Sequence, residues 1–443
     1  MRDMMNFDQG VFKIVVGPAK SFKTTDLIGK LRSYVGRVLT GNYLLVKYPK
    51  EGEKGIGEFE ALETRDVDEI ADAIRPETEF VFIEETHKFD PSIVRLVEGL
   101  VMSGRKLYGT AINLDSSGES YLSTAVQMAM ADLFEVKTAS CVECRRPASR
   151  SKKVGDHYEP VCKPHFNGGG EGRLEMTIGP MYSSKSDSLT QGFIQRAIRH
   201  GAQGLVELIQ ASPDIKEDEA RAEHARRIIA EWRSLEDKVG FALLKWTKDI
   251  RYDERLILDE LEDIGLVNTH YKAMIPAIRC LTSEEQREWL AAHPGVEEVY
   301  IEEPQFIEGE ADLVRELVYQ GKRVLAAGLH RDFRRMPFGD VPELLAFADQ
   351  IDCRQAVCDH ETTEYRYNRE VVTRCTRMGT ENQRLKKVNG VWVPAHHDDP
   401  IVIPGGKEGE NVPQKYEAWC REHHRLPGEQ PEPIYKFPLL GRK

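Results

Sequence analysis

Short apolar runs occur at residues 12–16, 79–83, 174–178 and 297–301. Each has the length and near-continuous hydrophobicity of a strand buried on both faces of a parallel sheet. Between them lie longer stretches in which apolar and charged positions alternate at helical spacing. The stretch 217–238 interleaves acids and bases so evenly that it predicts an exposed helix. Strands alternating with helices predict an α/β fold with a mostly parallel sheet. The run Asn167-Gly168-Gly169-Gly170-Glu171-Gly172 predicts a flexible link, and the four prolines after position 426 predict an extended tail.

The pattern repeats. GPAKSFKT at 17–24 returns as GPMYSSKS at 179–186, an offset of 162 residues. FIEETHKF at 82–89 returns in weaker form as YIEEPQFI at 300–307, an offset of 218, and CKPH at 162–165 returns as CREH at 420–423, an offset of 258. An Ala-Asp step follows each acidic pair at nearly the same distance, at Asp132 and at Asp349. A tandem duplication fits, with insertions in two segments of the second copy. The expected layout is a P-loop domain over 1–137, a metal module over 138–166, the link over 167–173, a second P-loop domain over 174–352, a second module over 353–426 and a tail over 427–443.

Each strand–loop–helix passage carries most of a phosphate-binding loop, in which backbone N–H groups and a lysine hold phosphates and a hydroxyl meets magnesium. Gly179, Ser183, Lys185 and Ser186 are the candidates in the second copy; Gly17, Lys23 and Thr24 are those in the first. The second glycine of such loops is replaced by Ser184 and by Phe22. An acidic residue ending a buried strand completes a magnesium site. Glu84-Glu85 and Glu302-Glu303 stand there, one carboxylate near the metal and one free to act as a base.

Composition narrows the class. The chain has 443 residues, 40% hydrophobic and 30% charged, with a net charge of −12. That acidity argues against polymeric nucleic acid or an anionic membrane as partner. No apolar run approaches the ~18 residues of a spanning helix, and the N-terminal residues lack a signal-peptide core, so the expected location is the cytoplasm. Eight cysteines in such a chain read as thiols or metal ligands.

The second copy resembles the type II thymidine kinases, P-loop enzymes with a zinc-bearing lasso domain. GPMYSSKS is similar to that family's GPMFSGKS, the segment 248–252 (KDIRY) to its Asp-Thr-Arg-Tyr, Thr269-His270 to its Ser-His, and IEEPQF to IDEAQF. GLHRDFRRMPF at 328–338 is similar to GLDxDFRxxPF, and the segments 380–385, 398–406 and 416–424 resemble the lasso. The resemblance implies transfer of the γ-phosphoryl of ATP to the 5′-hydroxyl of thymidine or a related pyrimidine deoxynucleoside. Lys185 would hold phosphates, Ser186 and Glu302 would meet magnesium, and Glu303 would be the base. Met181, Asp249, Arg251, Phe306, Arg334, Phe338 and Tyr416 would surround the nucleoside, with main chain around 401–406 reading the pyrimidine. The first copy is similar but eroded: Ser116 and Ser117 stand where Phe333 and Arg334 stand, and its cysteine module is too short for a lasso. The expectation is therefore a catalytic second copy and a structural first one, in a homo-oligomer whose dimer presents four kinase-like units. The rival expectation is a nucleotide-binding or scaffolding pseudokinase.

Cys141, Cys144, Cys162 and His165 have zinc-ribbon spacing. In the second copy Cys358, Cys420 and His423 match, and His360 is the expected fourth ligand, with Cys353 or Cys375 as alternatives.

Overall fold

The computed structural model describes residues 9–35, 42–50, 52, 55–235, 238–246, 264–268, 273–366, 369–401 and 414–428. Two parallel sheets organise it. The first contains Val11–Val16, Tyr43–Lys47, Leu62–Glu63, Phe80–Ile83, Lys106–Ala111 and Leu133–Val136. Numbered in chain order these lie 3-2-4-5-1-6, every neighbouring pair parallel. The second contains Arg173–Ile178, Phe241–Trp246, Ile264–Asn268, Met274–Cys280, Glu298–Glu302, Arg323–Gly328 and Gln350–Cys353, in the order 3-4-2-5-6-1-7. Its strand Ile264–Asn268 is an antiparallel edge. With that strand set aside, the two orders are the same.

The strands form where the sequence pattern expects them because their side chains are covered on both faces. All six residues of Val11–Val16 are buried, as are those of Phe80–Ile83 and Glu298–Glu302. Helices supply the cover. Helix Asp218–Leu235 is not exposed throughout, as its charges suggest: Ala222, Ala225, Ile228 and Trp232 fall at three- and four-residue spacing and are buried. Trp232 closes an aromatic cluster with Phe193 and Phe241, at ring separations of 5.7 and 5.9 Å. Among the described residues, no helix is long and apolar enough to cross a membrane.

The two halves pack directly on each other. Helix Leu122–Met130 lies against helix Val341–Phe347, and the edge strands Leu133–Val136 and Gln350–Cys353 approach each other. These are matching elements of the two sheets, so the interface is close to two-fold. One apolar cluster runs through it, including Ala125 and Met128 from one side and Leu345 and Phe347 from the other. The glycine-rich link is packed rather than flexible. Gly170 N donates to Tyr319 O at 2.6 Å, and a Cβ on Gly172 would lie 2.2 Å from Val318 O. Glycine serves close backbone approach there. The tail beyond residue 428 lies outside the described residues.

Candidate active site and metal centres

Each phosphate loop leaves the C-terminal end of a central strand and turns into a helix, Lys23–Val35 or Lys185–Arg199. Gly17 and Gly179 share φ 156°, and a Cβ on Gly179 would meet Arg354 O at 2.5 Å. The backbone then turns left-handed twice: at Lys20 (59°) and Phe22 (61°) in the first loop, at Tyr182 (59°) and Ser184 (58°) in the second. Phe22 and Ser184 thus occupy the positions where glycine would be unstrained. Ser183 Oγ donates to Pro180 O at 2.8 Å and closes the turn, as Ser21 does on Pro18. Lys185 Nζ donates to Pro180 O at 2.7 Å; Lys23 Nζ reaches Gly17 O and Pro18 O at 2.9 and 2.7 Å. Burial pulls Lys23 down to about 8, with Glu85 opposing the shift. The helix N-termini beyond these lysines are ready anion sites.

The hydroxyl at the start of each helix meets the carboxylate at the end of a neighbouring strand. Ser186 Oγ donates to Glu302 Oε1 at 2.7 Å, and Thr24 Oγ1 to Glu84 Oε1 at 2.5 Å. A hydroxyl and a buried carboxylate in contact are the ligand pair expected of magnesium, an oxygen-seeking ion. The donor set fits. The following residues, Glu303 and Glu85, are left-handed at φ 54° and 52°. Strain of this kind typically costs ~1–3 kcal/mol and persists where the surroundings enforce it. Glu303 N donates to Ala327 O at 2.8 Å, and the Gln305 amide donates to the Glu303 carboxylate. The Gln305 Oε1 in turn accepts from Leu329 N at 3.2 Å, tying the base candidate to the loop after Arg323–Gly328.

On the side away from the phosphate loop, Phe306 stacks on Trp246 with centroids 4.9 Å apart and meets Phe338 edge-on at 5.4 Å. Arg334 Nε donates to Asp332 Oδ2 at 3.0 Å, and Asp332 Oδ1 accepts from the amides of Arg334 and Met336. Burial raises the Asp332 carboxyl above its ordinary range, against the pull of Arg334. Met181 N donates to Asn382 Oδ1 at 2.7 Å, joining the phosphate loop to the C-terminal module. Tyr416 is half-buried on strand Gln414–Trp419, paired with Arg384. Asp249, Arg251, Thr269, His270 and residues 402–406 lie outside the described residues.

The corresponding place in the first half is filled differently. Lys88 stands at the position of Phe306; it pairs with Glu85 and lies 5.6 Å above the ring of Tyr48. His87 stands at the position of Gln305, accepts from Ile112 N at 3.2 Å, and is lowered to about 4 by burial.

Two metal-ligand clusters are assembled, each with four ligand atoms within 4.8 Å of one another. In the first, Cys144 and Cys162 sulfurs are 3.6 Å apart, and His165 Nδ1 lies 3.5 and 3.3 Å from the sulfurs of Cys141 and Cys162. A tetrahedral ion with bonds of ~2.3 Å to sulfur separates its ligand sulfurs by ~3.8 Å. The donor chemistry and spacing fit such an ion. The second cluster is Cys358, Cys375, Cys420 and His423, which corrects the expectation for His360. The hairpin Glu361–Arg366 and Arg369–Arg374 returns the chain so that Cys375 N bonds to His360 O at 3.0 Å. That brings the Cys375 thiol to the ligands, while the His360 ring stacks on His423 at 4.0 Å. Cys353 is outside the cluster; burial pushes its thiol up to about 12.

The family model described as thymidine kinase matches residues 10–166 and 227–424. The chain belongs to the thymidine kinase family. It is 36% identical over 173 residues to the thymidine kinase of Coprothermobacter proteolyticus, covering 39% of this chain and 74% of that protein. It is 31% identical over 262 residues to that of Deinococcus radiodurans, covering 58% of this chain and 92% of the relative. For Deinococcus deserti the figures are 30% over 254 residues, 57% and 94%. The Deinococcus proteins are thus matched nearly end to end by little more than half of this chain.

Within this thymidine kinase frame, three contributors were not singled out from sequence. Trp246 ends a strand with no motif of its own, and its stacking on Phe306 is a tertiary contact. Asn382 lies in the segment resembling the lasso but serves the phosphate loop. Gln305 stood inside the acidic motif, and its place two residues after Glu303 was the available signal.

Proposed function

We propose that this thymidine-kinase-family chain transfers the γ-phosphoryl of ATP to the 5′-hydroxyl of thymidine or a related pyrimidine deoxynucleoside. The second half carries the reaction, and the first half, the product of a tandem duplication, is structural. The observation that supports this division is the contrast at one position. Phe306 sits between Trp246 and Phe338 beside Glu303, whereas Lys88 in the first half is paired with the equivalent Glu85.

In this reading the amides of residues 182–186 and Lys185 hold the phosphates, releasing the lysine from Pro180 O. Ser186 and Glu302 would hold magnesium, which would supply charge neutralisation to the transferring phosphoryl. Glu303 accepts the proton of the 5′-hydroxyl, and its left-handed backbone turns the carboxylate out of the strand toward the acceptor. Gln305 holds that carboxylate in place. Phe306 and Phe338 bind the base by its face and edge. Asp249, Arg251, Arg334, Met181 and Tyr416 complete the nucleoside site, with main chain around 401–406 reading the pyrimidine. The two Cys₃His clusters would each hold zinc, which would supply folding energy to the two modules. The chain works in the cytoplasm as a homodimer that presents four kinase-like units.

The test is a radiolabelled phosphate-transfer assay across pyrimidine and purine nucleosides. Transfer to thymidine or deoxyuridine is the expected result. No transfer to any nucleoside, with ATP still bound, would replace this reading by the pseudokinase, which the side chain at Ser184 and the longer Glu302 favour.

A further inference from the structure

The two halves clasp each other through matching residues that are used unequally. Asp132 precedes the edge strand of the first sheet; its Oδ2 accepts from Phe12 N at 2.9 Å. Asp349 is its counterpart and accepts from Leu174 N at 2.9 Å. Each carboxylate then receives the basic residue that follows the third cysteine of the other half's metal cluster. Lys163 donates to both oxygens of Asp349 at 2.6 Å and to Gly172 O at 2.8 Å. Arg421 donates to Asp132 Oδ1 and to Gly10 O, both at 2.6 Å.

The symmetry then breaks. Asp132 Oδ1 also holds Arg331 at 3.3 Å, and at the position matching Arg331 the first half has Leu114. Arg331 belongs to the loop that carries Asp332 and Arg334. Its guanidinium also reaches Thr380 O at 3.0 Å, and its carbonyl accepts from Asn382 Nδ2 at 2.8 Å. Asn382 is the residue that holds Met181 N of the phosphate loop. Glu381 completes the network, 3.0 Å from Arg421 and 3.4 Å from Arg331. Against a burial that would raise it, these guanidiniums and Arg335 hold the Glu381 carboxyl down at about 2. All four charged side chains are at least nine-tenths buried. A buried charge network of this kind is rigid when complete and costly when one member is removed.

We propose that Asp132, in the half without a nucleoside pocket, is a positioning residue for the reaction of the other half. By anchoring Arg331 and Arg421 it fixes the loop of Asp332 and Arg334 and, through Asn382, the phosphate loop. The first half is then a built-in part of the second half's active site, and the proposal rests on the phosphoryl-transfer reading above.

The experiment compares full-length Asp132→Asn with Asp349→Asn, which removes the matching carboxylate from the other side of the interface. A reacting group misplaced by ~1 Å costs on the order of 10²-fold, so kcat of Asp132→Asn is expected to fall by ~10–10²-fold with a smaller change in KM for ATP. Asp349→Asn is expected to keep kcat within about twofold of wild type whatever its melting temperature does. Arg331→Leu, which installs the first half's residue, gives the same kcat loss and supplies the reading if Asp132→Asn does not fold. The double variant is expected to be no slower than the slower single variant, because both act through one contact. The inference is overturned if wild type is active and Asp132→Asn, or Arg331→Leu in its place, keeps its kcat. Equal kcat losses in Asp132→Asn and Asp349→Asn, or additive losses in the double variant, overturn it too. An inactive wild type would instead sink the kinase reading.

Discussion

The two halves hold the same frame around different contents. Strand order, the φ 156° glycines, the paired left-handed turns and the hydroxyl–carboxylate contacts recur in both. At equivalent positions after the matching strands, Phe306 is replaced by Lys88, Trp246 by Tyr48, Gln305 by His87 and Arg334 by Ser117. Lys88 pairs with Glu85 and lies over Tyr48, as Phe306 lies over Trp246. The phosphate-loop geometry is set by backbone and survives wide side-chain change. The acceptor chemistry proposed for the second half rests on side chains that the first half has replaced.

The sharpest way to break this contrast is to neutralise the matching carboxylates separately. Glu303→Gln keeps the shape and removes the base, so phosphate transfer is expected to slow by ~10²–10⁴-fold while thymidine and ATP still bind. Glu85→Gln frees Lys88 but touches no acceptor, and transfer is expected to stay at the wild-type rate. Single-turnover rates together with calorimetric binding would decide it. A large loss from Glu85→Gln, or none from Glu303→Gln, would reverse the roles of the halves.

Much of this frame was legible in the sequence, because strands, loops and acidic pairs are local patterns with fixed spacing. The failures share a cause. His360 was the fourth-ligand candidate because it sits two residues after Cys358, but a hairpin of more than a dozen residues returns Cys375 to the cluster. The helix 218–235 looked exposed because its charges mask a stripe of small and aromatic residues that packs on Phe193 and Phe241. The glycines of the link suggested mobility, yet they allow close packing on residues 318–322. The Asp132 network joins positions up to 289 residues apart, beyond the reach of any spacing rule.

The metal clusters give the second test of the comparison. Two metal ions per chain are expected, one in each Cys₃His set. Cys375→Ser should lower the count to one and loosen the second module, since such modules gain much of their folding energy from the metal. His360→Ala should leave the count unchanged. Elemental analysis with hydrogen exchange over 356–428 would check both. A loss of metal from His360→Ala with none from Cys375→Ser would return His360 to the ligand set. The first module carries the matching control: Cys141→Ser should release the other ion and weaken the clasp at Asp349 through Lys163.

The smallest expected effect concerns the missing glycines. Ser184 and Phe22 both hold left-handed backbone, at 58° and 61°. An L-residue there carries a strain of roughly 1–2 kcal/mol that glycine lacks. Glycine also loses more chain entropy on folding, by roughly 0.5–1 kcal/mol, so the net gain in stability is between zero and about 1.5 kcal/mol in either loop. Stability alone therefore cannot distinguish the halves, but nucleotide affinity can. Removing the Ser184 side chain lets phosphate approach the amides of residues 182–186 more closely. Ser184→Gly is expected to tighten ATP by about fivefold, the equivalent of ~1 kcal/mol. Phe22→Gly relieves the same strain in the half proposed to be structural, so ATP affinity measured by calorimetry is expected not to move. If Phe22→Gly tightens ATP and Ser184→Gly does not, the donor nucleotide binds in the first half, and the division of labour between the halves must be redrawn.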